Sequence, residues 1–361
     1  MSETWREKII MKKLMKMAVV SAMVLSGLTA CAKDGGQTDG AKENECPITI
    51  GLVTDTGGID DKSFNQGTWE GILAYAKEAN LPEKCYSYLQ STSDADYVPF
   101  LSQMGDDDKD IIIAPGFLFI DALNEVAPNY PDTSFVIVDD VVAQPNVVSA
   151  LFNAQEPSYL VGVAAAMKAK AAGATKVGYV GGMEFDTILA FEAGYREGVA
   201  SVDPSIEVLY DYVGDFVSAD KGKALAQKQF NNGAYVIYQV AGGAGNGVIA
   251  EAKERREGGQ DVWAIGVDKD QHADGVLTNG TSAVLTSALK HAGEAAKKAI
   301  ELKVKGEFPG GTNLVATLAT GGVGYTTTNK DAMTQDIIDA CDAAAKKIMN
   351  GEIVVGTNPQ R

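Results

Sequence analysis

Histidine is almost missing from this chain: only His272 and His291 occur among 361 residues. That leaves few general bases that titrate near neutral pH. With no Cys-x-x-Cys pair present, it also argues against a His/Cys metal site. Four cysteines are too few for a dense disulfide scaffold. No Gly-x-Ser-x-Gly elbow occurs. The glycine-rich run "AGGAGNGV" from Ala241 lacks the Gly-Lys-Ser/Thr ending of a phosphate-binding loop. It also comes too late for a first-turn dinucleotide fingerprint. Positive charge is short as well, with 31 Lys and Arg against 48 Asp and Glu, a net charge of −17. Such a surface repels nucleic acid and anionic lipid head groups. Adjacent carboxylates such as Asp139 and Asp140 point to opposite faces of a strand, which weakens them as an acid/base pair. No catalytic residue, metal or cofactor is expected, and an enzyme is the least favoured class.

What is present begins with a leader. "MKKLMKMAVVSAMVLSGLTAC" from Met11 places three lysines before an apolar run and small residues before Cys31. That is the pattern of a secretory signal, expected over residues 1–30 with Met11 as the start of translation. The apolar run is too short for a convincing membrane span. "LTAC" resembles the bacterial lipobox, so Cys31 is expected to carry lipid as the first mature residue. Residues 31–46 then read as a flexible polar tether. Removing residues 1–30 takes away five Lys/Arg and two Asp/Glu and leaves −20, so the link to the membrane should be covalent. In an exported protein Cys46 and Cys85 could pair, which sequence leaves open.

The length suggests two lobes. From Pro47, ten β-rich runs from "ITIGLV" to "SAVLTSAL" alternate with amphipathic stretches such as "YLVGVAAAMKAK" and "NGVIAEAKERREG". Such alternation predicts an α/β fold with parallel sheets, and the strand count favours two of them. Ser63 followed by Gln66 has the spacing of a capping box, ahead of a helical stripe of Trp69, Ile72, Leu73 and Ala76. Phe64 projects off that stripe, so it is either a site residue or packed beneath a neighbouring loop.

In open α/β sheets ligands bind beyond the carboxyl ends of the strands. Asp55 and the Phe64–Asn65 pair follow the first run, and Asp139 follows "FVIV". Asp215 and Phe216 follow "LYDYVG", Gly243 lies in "AGGAG", and Asp268 follows "WAIGV". Aromatics can sandwich a flat ring, and carboxylates can accept from ring N–H groups or sugar hydroxyls. Singly, each residue also reads as a turn, helix-cap or core position.

"DTGGIDDKSFNQGTWEGI" resembles the signature of the basic membrane protein family of nucleoside-binding lipoproteins, the substrate-binding components of bacterial ABC importers. The likeness continues through "FVIVDD", "EPSYLVGVAAA", "VGYVGG", "FEAGYREGV", "YQVAGGAGNGV" and "AIGVDKDQ". It implies a two-lobed, periplasmic-binding-protein-like fold of type I with a purine nucleoside held between the lobes. By that resemblance Phe64 and Phe216 would sandwich the base, and Asn65 and Asp139 would read its polar edge. Asp268, Gly243 and Lys290 would hold the ribose, and Asp55 is carried over with them. The implied partners are permease and ATPase subunits of an ABC transporter, together with the membrane through Cys31. The lobes are expected at 47–152 plus 271–309 and at 153–270 plus 310–361. Two other readings stay open: a binder of another flat or sugar-like ligand such as a flavin, and a surface or signalling lipoprotein without a transport role.

Overall fold

The computed structural model describes residues 46–361. The expected signal segment 1–30, Cys31 and residues 31–45 of the tether lie outside the described residues. Ten strands come in order: β1 Ile50–Thr54, β2 Tyr86–Gln90, β3 Ile111–Pro115, β4 Ser134–Val138, β5 Val147–Phe152, β6 Lys176–Gly181, β7 Glu207–Tyr212, β8 Val236–Val240, β9 Trp263–Asp268 and β10 Val284–Lys290. They coincide with the ten β-rich runs of the sequence. Two short strands join them, β11 Asn313–Ala316 and β12 Val323–Tyr325. The helices among the described residues are α1 Phe64–Glu78, α2 Tyr97–Asp106, α3 Ile120–Val126, α4 Gln155–Ala171, α5 Asp186–Val202, α6 Ala219–Asn231, α7 Gly242–Glu257, α8 Ala292–Val304 and α9 Gln335–Met349.

The strands form two six-stranded sheets, ordered β11-β5-β4-β3-β1-β2 and β12-β10-β9-β8-β6-β7. All pairings are parallel except β10 with β12. Central strands such as β3 (IIIAP) and β8 (VIYQV) are buried at every position, because helices cover both faces of each sheet. In the first lobe Ile72 and Ala76 of α1 pack with Ala296 and Ile300 of α8 on one face. Leu101 of α2 and Leu123 of α3 fill the other.

Sheet membership moves the expected lobe boundaries. β10 pairs with β9 in the second sheet, so the chain leaves that lobe after Lys290 and not at 270. β11 pairs with β5 in the first sheet, so the last crossing follows Ala316 and not 309. Hydrogen bonding between segments far apart in the chain decides both points, and local pattern carries no trace of it. Three crossovers therefore join the lobes, after β5, β10 and β11. A disulfide links Cys46 to Cys85, and Cys341 is a buried free thiol.

Candidate functional site

The carboxyl ends of both sheets face one cleft, whose empty space amounts to about 580 Å³ when the open solvent at its mouth is counted. Asp55, Gly116 and Asp139 follow β1, β3 and β4. From the other lobe come Phe216 after β7, Gly242 after β8, Asp268 at the end of β9 and Lys290 at the end of β10. Within each sheet the strand order reverses beside β1 or β6, which opens a crevice at these same ends.

The loop after β1 builds the first wall. Asp61 caps α1: its Oδ1 accepts from the N–H groups of Ser63 (2.9 Å) and Gln66 (3.0 Å), and its Oδ2 from that of Asn65 (2.8 Å). The expected capping box at Ser63 is thereby corrected. Ser63 makes no side-chain cap bond, because its hydroxyl donates across the cleft to Asp268 Oδ2 at 2.5 Å. The Asn65 side-chain N–H groups donate to Asp55 Oδ1 (2.7 Å) and Asp61 Oδ2 (3.0 Å). Its Oδ1 accepts the Asp55 N–H at 3.3 Å. Asn65 thus locks the loop as well as lining the cavity. Burial pushes the Asp55 carboxyl up to about 6, against the hydrogen bonds from Gly57 and Asn65 and with help from the nearby Asp61 charge.

At the other end sits a buried ion triad. Lys290 Nζ pairs with Asp139 of the first lobe and lies 3.4 Å from Asp268 Oδ1. All three side chains are nearly inaccessible, at 5% for the lysine and 8% for each carboxylate. Burial alone would depress the lysine, but the two carboxylates outweigh it and raise its pKa, so Lys290 stays charged. Asp139 and Asp268 both hold left-handed backbone, at φ 75° and 64°. Non-glycine residues adopt that region mainly where the surroundings enforce it.

Aromatic surface fills the space between. Phe64 lies under Lys290, whose Nζ is 4.1 Å from the ring centroid. Phe216 enters from the second lobe, and only a glycine at 182 lets it lie so close, since a Cβ there would come within 2.2 Å of its ring. Phe117 and Phe191 also line the cavity. Phe117 stacks on Phe185 of the second lobe with centroids 4.0 Å apart, and it meets Phe216 edge-on at 6.0 Å.

The structure brings Asp55, Phe64, Asn65, Asp139, Phe216, Asp268 and Lys290 around this one cavity. Gly243 is not on its wall. Gly242, at φ 54°, takes that place, and Gly243 backs onto the Phe216 carbonyl. Asp215 also turns away, to cap α6 through the Val217 and Ser218 N–H groups and to pair with Lys221. Phe117 escapes the sequence reading, although its position directly beyond the strand run "IIIAPG" is the same signal that marks the others. Phe191 sits in a helical stripe and gives no such signal. Among the described residues no group of His, Cys, Asp and Glu is placed to hold a metal ion.

A family model described as ABC transporter substrate-binding protein, PnrA-like, matches residues 48–359. The chain belongs to that family. A CD4+ T-cell-stimulating antigen of Listeria monocytogenes is 38% identical to it, with 97% of this chain and 100% of the relative covered. The ABC transporter nucleoside-binding protein BmpA of Lactococcus lactis is also 38% identical, over 94% of this chain and 96% of its own. A solute-binding protein of an ABC transporter system from Aeropyrum pernix superposes with a TM-score of 0.78 at 27% identity, covering 87% of this chain and 94% of that one. The fold is that of the periplasmic binding proteins, with two helix-flanked, largely parallel sheets. Family members are extracytoplasmic solute-binding proteins that work with permease and ATPase partners.

Proposed function

We propose that this protein is a lipid-anchored receptor that holds a purine nucleoside of the guanosine, inosine or adenosine class between its lobes and delivers it to an ABC permease. The observation that carries the reading is the division of one cavity into two chemistries. Phe64 and Phe216 bring aromatic rings to the wall from opposite lobes, while Asp139, Lys290 and Asp268 form a buried polar group that meets the Phe64 ring through Lys290. A flat base suits the first, with Asp55 and Asn65 beside it for the polar edge. A ribose suits the second, where carboxylates accept from hydroxyls as the acidic residue does in dinucleotide folds. The nucleoside-binding name of the Lactococcus relative points the same way.

Lys290 is the only lysine or arginine among the described residues that line the cavity, and it is already shared by two carboxylates. A phosphate would want an arginine cluster, whereas this wall carries the carboxylates of Asp55, Asp61, Asp139 and Asp268. The ligand is therefore a nucleoside and not a nucleotide, and the protein acts as a carrier without a catalytic step. Calorimetry with guanosine, inosine and adenosine, their monophosphates and their free bases tests this. Nucleosides should bind best, and a monophosphate that binds tighter than its nucleoside would overturn the assignment. For anchoring, fatty-acid analogue labelling should disappear in Cys31→Ala, and label retained on that variant would sink the lipid claim.

A further inference from the structure

Ser63 is fully buried, yet none of its side-chain bonding serves the helix it introduces. Asp61 has taken over the N–H groups of the first turn. The Ser63 hydroxyl is thereby released to reach Asp268, 205 residues away and on the other lobe, at 2.5 Å. A bond from a buried hydroxyl to a carboxylate is charge-assisted and strong.

Its effect falls on one oxygen in particular. Ser63 occupies Asp268 Oδ2. Asp268 Oδ1 is buried without any hydrogen-bond partner, and Lys290, whose Nζ pairs with Asp139, stands 3.4 Å off. A buried carboxylate oxygen with no donor is expensive unless something supplies one. The carboxylate of this cavity-lining residue is thus held firmly at Oδ2, while Oδ1 has only the long ion pair to Lys290 and no hydrogen bond.

Resting on the nucleoside reading above, we infer that Ser63 is a positioning residue which acts through Asp268: it fixes the carboxylate so that Oδ1 accepts from a sugar hydroxyl of the ligand. Because the two residues belong to opposite lobes, that orientation exists only when the lobes are together. Sugar recognition is therefore tied to closure by this bond. Closure itself has other ties. Lys62 pairs with Asp274 at 2.9 Å, Lys269 with Glu70 at 2.6 Å, and Asn246 donates to the Asp61 carbonyl at 3.1 Å. Gln271 donates to the Lys62 carbonyl at 3.2 Å. Loss of the Ser63 hydroxyl should leave these in place, so its effect should fall on the sugar and spare the base.

The test is calorimetry of inosine and hypoxanthine on the wild-type protein, Ser63→Ala and Ser63→Thr, with thermal melts to confirm folding. Ser63→Ala should bind inosine about 10- to 100-fold more weakly, the range for a hydrogen bond to a charged group. Its hypoxanthine affinity should stay within about twofold of wild type. Ser63→Thr, which keeps the hydroxyl, should restore most of the inosine affinity. Wild-type inosine binding in Ser63→Ala, or an equal loss for both ligands, would overturn the inference while leaving the nucleoside reading intact. A wild-type protein that does not prefer inosine to hypoxanthine would instead remove the nucleoside reading and this inference with it.

Discussion

Replacing Lys290 by methionine probes the ion triad most directly. The variant keeps the length of the side chain and removes the cation that stands between Asp139 and Asp268. Each carboxylate is only 8% exposed, so solvent screening offers little relief while the lobes stay together. Breaking a buried pair by removing one partner costs about 3–5 kcal/mol. That figure is an upper bound here, because lobe separation would hydrate both carboxylates. The chain has two ways to respond, by opening or by taking up a proton. Two facing carboxylates push at least one folded-state pKa above its unfolded value. The native variant then binds more protons than the unfolded chain, so its stability should rise as pH falls toward about 4 and decline as pH rises through the raised pKa. Urea unfolding and small-angle scattering of the ligand-free protein at pH 7.5 and 5 would read both responses. At pH 7.5 Lys290→Met should be less stable than wild type, more extended, or both, and it should recover at pH 5. Asp139→Asn combined with Lys290→Met should recover part of the loss at pH 7.5, since one buried carboxylate and not two then lacks a cation. A variant as stable and as compact as wild type at pH 7.5 would refute the argument that the triad holds the lobes together.

Phe64→Ala and Phe216→Ala should each weaken nucleoside binding by roughly 5- to 150-fold, the equivalent of ~1–3 kcal/mol per stacked base, read by calorimetry. If Phe64→Ala unfolds the protein while residual affinity is unaltered, the ring belongs to the core and not to the site. Asp55, raised to about 6 by burial, should favour the folded state as pH falls from about 6 to about 4, a gain lost again as pH rises through 6. Asp55→Asn should therefore flatten the rise in urea midpoint between pH 7.5 and 4.5, and an unchanged slope would contradict the assignment. The Cys46–Cys85 disulfide closes a loop with a sequence separation of 39 that contains β1 and all of α1. Loop entropy puts its contribution at about 4 kcal/mol, so the double serine variant should unfold at markedly lower urea concentration. A midpoint equal to wild type would show that the bond adds nothing.

The sequence alone determined the ten main strands: central runs buried on both faces must be continuously apolar, as "IIIAP" and "VIYQV" are, and the half-exposed edge strands β2 and β7 are marked by their aromatic and β-branched residues. It also determined most of the cavity wall. Residues after parallel strands have one place to go, and Phe64 announced itself by standing off the periodicity of its own helix. The features that stayed hidden depended on partners distant in the chain. Ser63 reads as a cap because Ser-x-x-Gln is a local code. Whether its hydroxyl turns to its own helix or to Asp268 depends on another lobe being 2.5 Å away and on Asp61 having filled the cap first. β10 and β11 changed lobes for the same reason, since strand pairing is chosen between segments and not within them. Phe191 could not be told from core, because a helix that lines a cavity and one that lines a sheet bury the same stripe. Periodicity reports that a side chain is buried, and only the tertiary structure decides what it is buried against.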